Sequence, residues 1–333
     1  TATGTFNAIG DGDFSFSWGA AHAIVNEGTF TRSGTGTTTV NSGIAFNNSG
    51  TVEVQEGTLQ VAGGGTDTGG MTIATGAALN FSASYTHALG STLLGAGMVS
   101  LTGGTQTVDG QLDGTGSLIV STTVNINADQ DLLGAVTFTG TLGGTGQVRV
   151  GNTLDWSSGT MLGSGTTVVS PGATLTISSS NYKHLSRDLE IRGTANYTGS
   201  YLTFGAVQDA PGTIRTTGDG VFNAIGDGDF SFSWGAAHAI VNEGTFTRSG
   251  TGTTTVNSGI AFNNAGEVDV QEGTLQVAGG GTDTGGMTIA AGAVLNFSNS
   301  YTHGLGSTIV GAGTVSLTGG TQTVDGQLDG TGS

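Results

Sequence analysis

Gly10-Asp11-Gly12-Asp13 sets two carboxylates two residues apart between glycines, and Gly226-Asp227-Gly228-Asp229 does so again. Carboxylate oxygens on a loop freed by glycine are what a hard cation takes, so Asp11, Asp13, Asp227 and Asp229 are candidate calcium ligands. The pattern is not an EF-hand, because no bidentate Glu closes a twelve-residue loop, and it is not the repeated nonapeptide of calcium β-rolls. The competing reading is a polar turn ahead of the aromatic run that follows. That run, Phe14-Ser-Phe16-Ser-Trp18, returns as Phe230, Phe232 and Trp234. Alternation places three rings on one face. Such a row serves either as a saccharide-binding platform or as a core strand, and the size of the rings favours the core.

Other groups with chemical potential are scattered. His22, His87, His184, His238 and His303 have no metal-ligand spacing, and the chain has no cysteine to complete a zinc site. Asp109 and Asp113, with their copies Asp325 and Asp329, are four residues apart. They are the nearest thing to the paired carboxylates of a glycan-cleaving enzyme, and solvated turn residues are the plainer reading. No G-x-S-x-G elbow, phosphate-cradling loop followed by Lys, or dinucleotide fingerprint occurs. Glycine clusters such as Gly63-Gly64-Gly65 read as turns. The expectation is a chain that is not an enzyme and needs no cofactor, with calcium as the one candidate ligand.

The elements that hold these residues form a repeat. The stretch FNAIGDGDFSFSWGAAHAIVNEGTFTRSGTGTTTVNSGIAFNN begins at Phe6 and again, unchanged, at Phe222. Later differences are mild: Ser49 becomes Ala265, Thr51 becomes Glu267, and Met98 becomes Thr314. Residues 1–216 read as one full long repeat and 217–333 as the first half of the next, with no independent globular domains. The chain starts TATGTF, without Met. It therefore reads as a section of a longer protein, any targeting segment of which lies upstream.

Composition narrows the class. Glycine is 64 of 333 residues, proline 2, and charged residues 9%. That is too little proline for collagen and too little charge for a disordered chain. The net charge of −17 opposes binding to nucleic acid or to anionic lipid. No apolar run reaches the length that spans a bilayer, so no membrane insertion by this segment is expected.

Strict alternation in Thr51-Val52-Glu53-Val54, Thr58-Leu59-Gln60-Val61, Ala78-Leu79-Asn80-Phe81, Gln147-Val148-Arg149-Val150 and Thr174-Leu175-Thr176-Ile177 predicts strands separated by glycine turns. No helix-period stretch is present. The segment Asn181–Arg192 departs from the pattern and reads as a protruding loop or short helix. Inside the long repeat, an apolar residue, three variable positions, Gly, any residue and a second apolar residue recur, as in Ile24…Gly28-Thr-Phe30, Phe46…Gly50-Thr-Val52, Leu93…Gly97-Met-Val99 and Leu142…Gly146-Gln-Val148. Most spacings are about 19–30 residues, one coil per unit, with Phe46 to Leu93 holding two. The fold expected is all-β: a right-handed parallel β-helix (β-solenoid) with irregular rungs about 4.8 Å apart. Asn26, Asn41, Asn47, Asn80, Asn125 and Asn127 are candidates for stacked ladders. A string of antiparallel sandwiches is the alternative fold.

The run FNNSGTVEVQEGTLQVAGGG from Phe46 to Gly65, followed by MTIATGAALNF from Met71 to Phe81, resembles the β-strand-repeat passages of giant bacterial surface proteins, the filamentous-haemagglutinin-like and autotransporter-like adhesins. The resemblance implies a β-solenoid displayed outside the cell or on its surface, and brings no catalytic residues with it. Three functions follow as expectations. The first is a structural section of a rod, filament or adhesin stalk that stacks end to end. The second is a module that binds glycans or other cell surfaces. The third is a polysaccharide-cleaving β-helix.

Overall fold

The computed structural model describes residues 3–19, 21–114, 116–205, 210–235 and 237–330. Among them every regular element is a strand, and no helix is long and apolar enough to cross a membrane. The chain divides into two compact units, Thr1–Leu154 and Asp155–Ser333. Each is a parallel β-solenoid.

In the first unit one coil is three short strands. Thr51–Val54, Thr58–Val61 and Gly65–Asp67 make one, and Gly70–Ile73, Ala78–Phe81 and Tyr85–His87 make the next. Each strand pairs in parallel with its equivalent one coil on: Val52 with Met71, Leu59 with Leu79, Thr66 with Thr86. The expected alternation holds. Val52, Val54, Leu59, Val61, Leu79 and Phe81 are buried, while Glu53 and Gln60 lie on the outer side. Each such aliphatic or aromatic side chain taken out of water stabilises the coil by about 1.5–3 kcal/mol.

The second unit repeats this coil with Glu267–Val270, Thr274–Val277 and Gly281–Asp283 stacked on Gly286–Ile289, Val294–Phe297 and Tyr301–His303. Its core carries a ladder of rings. Phe222 and Phe246 stack with centroids 5.4 Å apart and planes 2° from parallel, and Phe262 meets Phe246 edge-on at 5.3 Å. Coil length is not constant. The step from Leu118 to its partner Val136 is short, and that from Leu202 to Phe230 is long.

Two expectations are corrected. Asn181–Arg192 is neither loop nor helix: Lys183–Ile191 is a nine-residue strand, paired with the eleven-residue strand Gly159–Val169. Leu185, Leu189 and Ile191 point inward, and a register shift between Leu162 and Thr166 carries both strands round a corner. The apolar–Gly–apolar motif also does not mark one corner per coil. Phe46 to Val52 turns into Thr51–Val54, but Leu93 to Val99 joins Thr92–Gly95 to Met98–Leu101. Two coils and one further corner therefore separate Phe46 from Leu93. Of the asparagines, Asn26 enters a buried ladder with Asn48, its neighbour one coil on. Asn80 bonds at the surface, accepting from the Thr102 hydroxyl at 3.0 Å, and Asn127 donates to Asp109 at 2.7 Å.

Phe222 is fully buried, with the strand Thr194–Tyr197 on one side and Thr245–Arg248 on the other. Its copy Phe6 pairs with Thr29–Arg32 in the same register.

Corners bring backbone against backbone. Gly281 has φ +141°, and a Cβ there would lie 2.0 Å from the Phe262 carbonyl oxygen. Gly292 also has positive φ, +84°, but faces open space. Gly292→Ala should cost about 1–2 kcal/mol from backbone strain alone. Gly281→Ala adds a clash that a ladder-bonded carbonyl cannot relieve and should cost about 3 kcal/mol or more. Urea unfolding of the two variants checks the order, and equal losses would show that the corner is soft.

Candidate functional site

The Gly-Asp motif meets a residue that carried no signal in the sequence. Arg248 closes the strand Thr245–Arg248 at an inward position and is fully buried. Its Nη2 donates to Asp227 Oδ1 at 2.6 Å and to the Gly252 carbonyl at 2.8 Å. Nη1 donates to the carbonyls of Ala224 at 3.2 Å and Gly226 at 2.8 Å, and Nε to that of Thr274 at 3.3 Å. One guanidinium thus joins a coil to the coils before and after it. The first copy is the same, with Arg32 on Asp11 at 2.6 Å and on the carbonyls of Ala8, Gly10, Gly36 and Thr58. Gly250 is required because a Cβ there would lie 2.1 Å from Arg248 Nη1. Arg–Ser–Gly–Thr–Gly after a strand is the signal that would have found the clasp.

The four carboxylates read as calcium ligands are placed accordingly. Asp11 and Asp227 face the guanidinium, and its hydrogen bond holds both below their ordinary value of 3.8. Asp13 Oδ1 accepts the Thr39 N–H at 2.8 Å and Asp229 Oδ1 the Thr255 N–H at 2.7 Å. Among the described residues no group of three or more His, Cys, Asp or Glu converges as a metal site.

The aromatic run does not stay on one face. Phe230 is fully buried, 5.8 Å from Phe222 and 5.2 Å from Tyr197, whereas Phe14, bridged only to Val40, is half-buried. The strand Asp229–Phe232 ends at its second ring. Phe232 lies over Gly259, where a Cβ would fall 2.5 Å from the ring, and Phe16 covers Gly43 in the same way. Trp18 and Trp234 lie beyond the strand, 91% and 61% exposed. His238 fixes the turn: its Nδ1 accepts from Gly212 N at 3.0 Å, which leaves Nε2 to donate to the Trp234 carbonyl at 2.8 Å.

A second internal array runs along one inner corner. Asn26 donates to Asn48 at 2.6 Å and Asn48 to Asp67 at 2.7 Å, with His87 Nδ1 4.0 Å from the other Asp67 oxygen. Asn242, Asn264, Asp283 and His303 repeat it at 2.8, 2.9 and 3.8 Å. Tyr85 seals the array by donating to the Phe46 carbonyl at 3.0 Å, and burial beside Asp67 pushes its phenol far above the usual range.

The segment Asn181–Arg192 contributes a buried ammonium. Lys183 Nζ donates to the carbonyls of Ser178 at 2.7 Å, Ser179 at 3.0 Å and Asn181 at 2.7 Å, and burial draws its pKa down. This folds the turn that presents Tyr182. Asp109 and Asp113 go separate ways, to the Asn127 amide and to the Asp131 N–H at 3.2 Å.

No family model, curated protein or solved structure matches the chain.

Arg248→Met removes one donor from each of four carbonyls and a carboxylate, and the charge that balances Asp227, and should cost about 3 kcal/mol or more. Because Asp11 and Asp227 are depressed in the folded state, their contribution is complete above the ordinary value of 3.8 and is lost as pH falls below it. Urea midpoints should therefore be level from pH 7 to about 5 and drop in acid. The double variant Asp11→Asn/Asp227→Asn should flatten that drop. Adding millimolar calcium to chelator-treated protein should leave the melting temperature where it was, and a rise of several degrees would mean that the carboxylates leave arginine for the metal.

Proposed function

We propose that this chain is a structural section of a long bacterial surface stalk or filament, non-catalytic and built by adding coils. The observation that carries the reading is the recurrence of the arginine clasp and the Asn–Asn–Asp–His array, bond for bond, in the second copy of the long repeat. What the long repeat preserves in these arrays is contact between coils. A catalytic centre needs polar groups open to a substrate, whereas the guanidinium of the clasp and the amides, carboxylate and imidazole of the array are buried between coils. Low charge, an acidic balance and the absence of cysteine accord with display outside the cell, as does the resemblance to filamentous-haemagglutinin-like and autotransporter-like adhesins.

Parallel strands at the end of a stack offer unpaired N–H and C=O groups, so end-to-end association of copies is part of the same proposal. Arrays of one, two and three long repeats test it by electron microscopy. Particle length should grow by roughly 50 Å per repeat, from about ten coils at the strand spacing. Compact particles of constant length would overturn the reading.

A further inference from the structure

The geometry points to a binding subsite for a neutral saccharide on the second unit, where residues 181–201 lie against the Gly-Asp motif of the second copy. Tyr182 and Tyr201 are 64% and 46% exposed. Their rings are 5.5 Å apart and 22° from parallel, and His184 continues the row 6.1 Å from Tyr182. Large rings on the outer face of a solenoid, away from its core, have no packing role that explains them.

Beside Tyr201 runs a groove of about 260 Å³ lined by Thr198, Ser200, Tyr201, Asp227, Gly228 and Asp229. Tyr201 and Asp229 are direct partners across the strand register. Each carboxylate uses Oδ1 internally, and the second oxygen of each accepts no hydrogen bond among the described residues. The floor is bare backbone: a Cβ at Gly228 would lie 2.1 Å from the Gly199 carbonyl and 2.5 Å from the Tyr197 hydroxyl.

This combination selects a ligand class. An aromatic ring takes the C–H face of a sugar, and ionised oxygens beside it accept hydroxyl protons in strong charge-assisted bonds. Anionic glycans would meet carboxylates in a chain of net charge −17, so the fitting ligand is uncharged. The groove is smaller than the ~300 Å³ at which drug-sized sites begin, which suits a single sugar ring. The shelf is preorganised, because Lys183 ties the turn carrying Tyr182 to three carbonyls and Tyr197 donates to the Asp229 carbonyl at 3.1 Å.

The inference goes beyond the stalk reading, since a stalk without this site would still lengthen with repeat number. The test uses the full chain against immobilised gluco-, manno- and galacto-configured neutral oligosaccharides, with alginate and hyaluronan as acidic controls. At least one neutral series should bind, and saturation-transfer NMR should place its ring protons against tyrosine. Tyr201→Ala and Asp229→Asn should each weaken binding at least tenfold, with circular dichroism and melting unchanged. Trp18→Ala should bind like the parent. Absence of neutral-glycan binding, preference for the acidic polymers, or binding that survives Tyr201→Ala would overturn the proposal.

Discussion

Every paired strand among the described residues takes its ladder hydrogen bonds from strands one coil away, as Leu118 does from Val136 and Leu202 from Phe230. None of these ladders closes within a single coil, so no short segment is stable alone. The core, the corners and the polar arrays all answer to that requirement. Inward Val, Leu, Ile and Phe form rows because the register superimposes them. Glycine stands where neighbouring coils bring backbone within reach of a would-be Cβ. Asn26, Asn48, Arg32 and Arg248 enter the interior and find partners one coil up or down.

The buried arginines show how this constraint turns a charged residue into a structural part. A guanidinium has five donors in a rigid fork and stays ionised. At Arg248 those donors meet carbonyls on three successive coils, and one solvent-facing carboxylate supplies the opposite charge. The charge is thus neutralised at the wall of the solenoid and not at its centre, which keeps the desolvation cost of the carboxylate small. The Asn–Asn–Asp–His arrays do the same work with side-chain amides. Asn26, Asn48 and Asp67 succeed one another along the stack, so a change at one position leaves the next without its donor or acceptor.

Alternation made the strands legible: Thr51–Val54, Thr58–Val61, Ala78–Phe81 and Thr174–Ile177 lie as read, with the expected residues inside. Pattern reading failed where polar residues point inward. Lys183, Ser186 and Arg187 break the apolar alternation of Lys183–Ile191, so a strand looked like a loop or helix. Arg32 and Arg248 were invisible for the same reason. A charged residue reads as outward unless the carbonyls awaiting it are known, and most of those lie a full coil away in the chain. Alternation carries the aromatic run inward only while the strand lasts. Phe230 is inside it, Phe232 at its last residue and Trp234 past its end. Tyr182 and Tyr201 are far apart in the chain, and only the coil spacing makes them neighbours.

The stacking of coil on coil reaches into how such a chain is made. Phe222 is core because a folded coil lies on each side of it. Each coil thus offers the next its ladder partners. Near-identical copies remove the means of telling one template from another. A coil half-formed on one molecule fits the matching place on a second as well as on its own. Synthesis in order, one coil at a time, keeps the nearest template the right one.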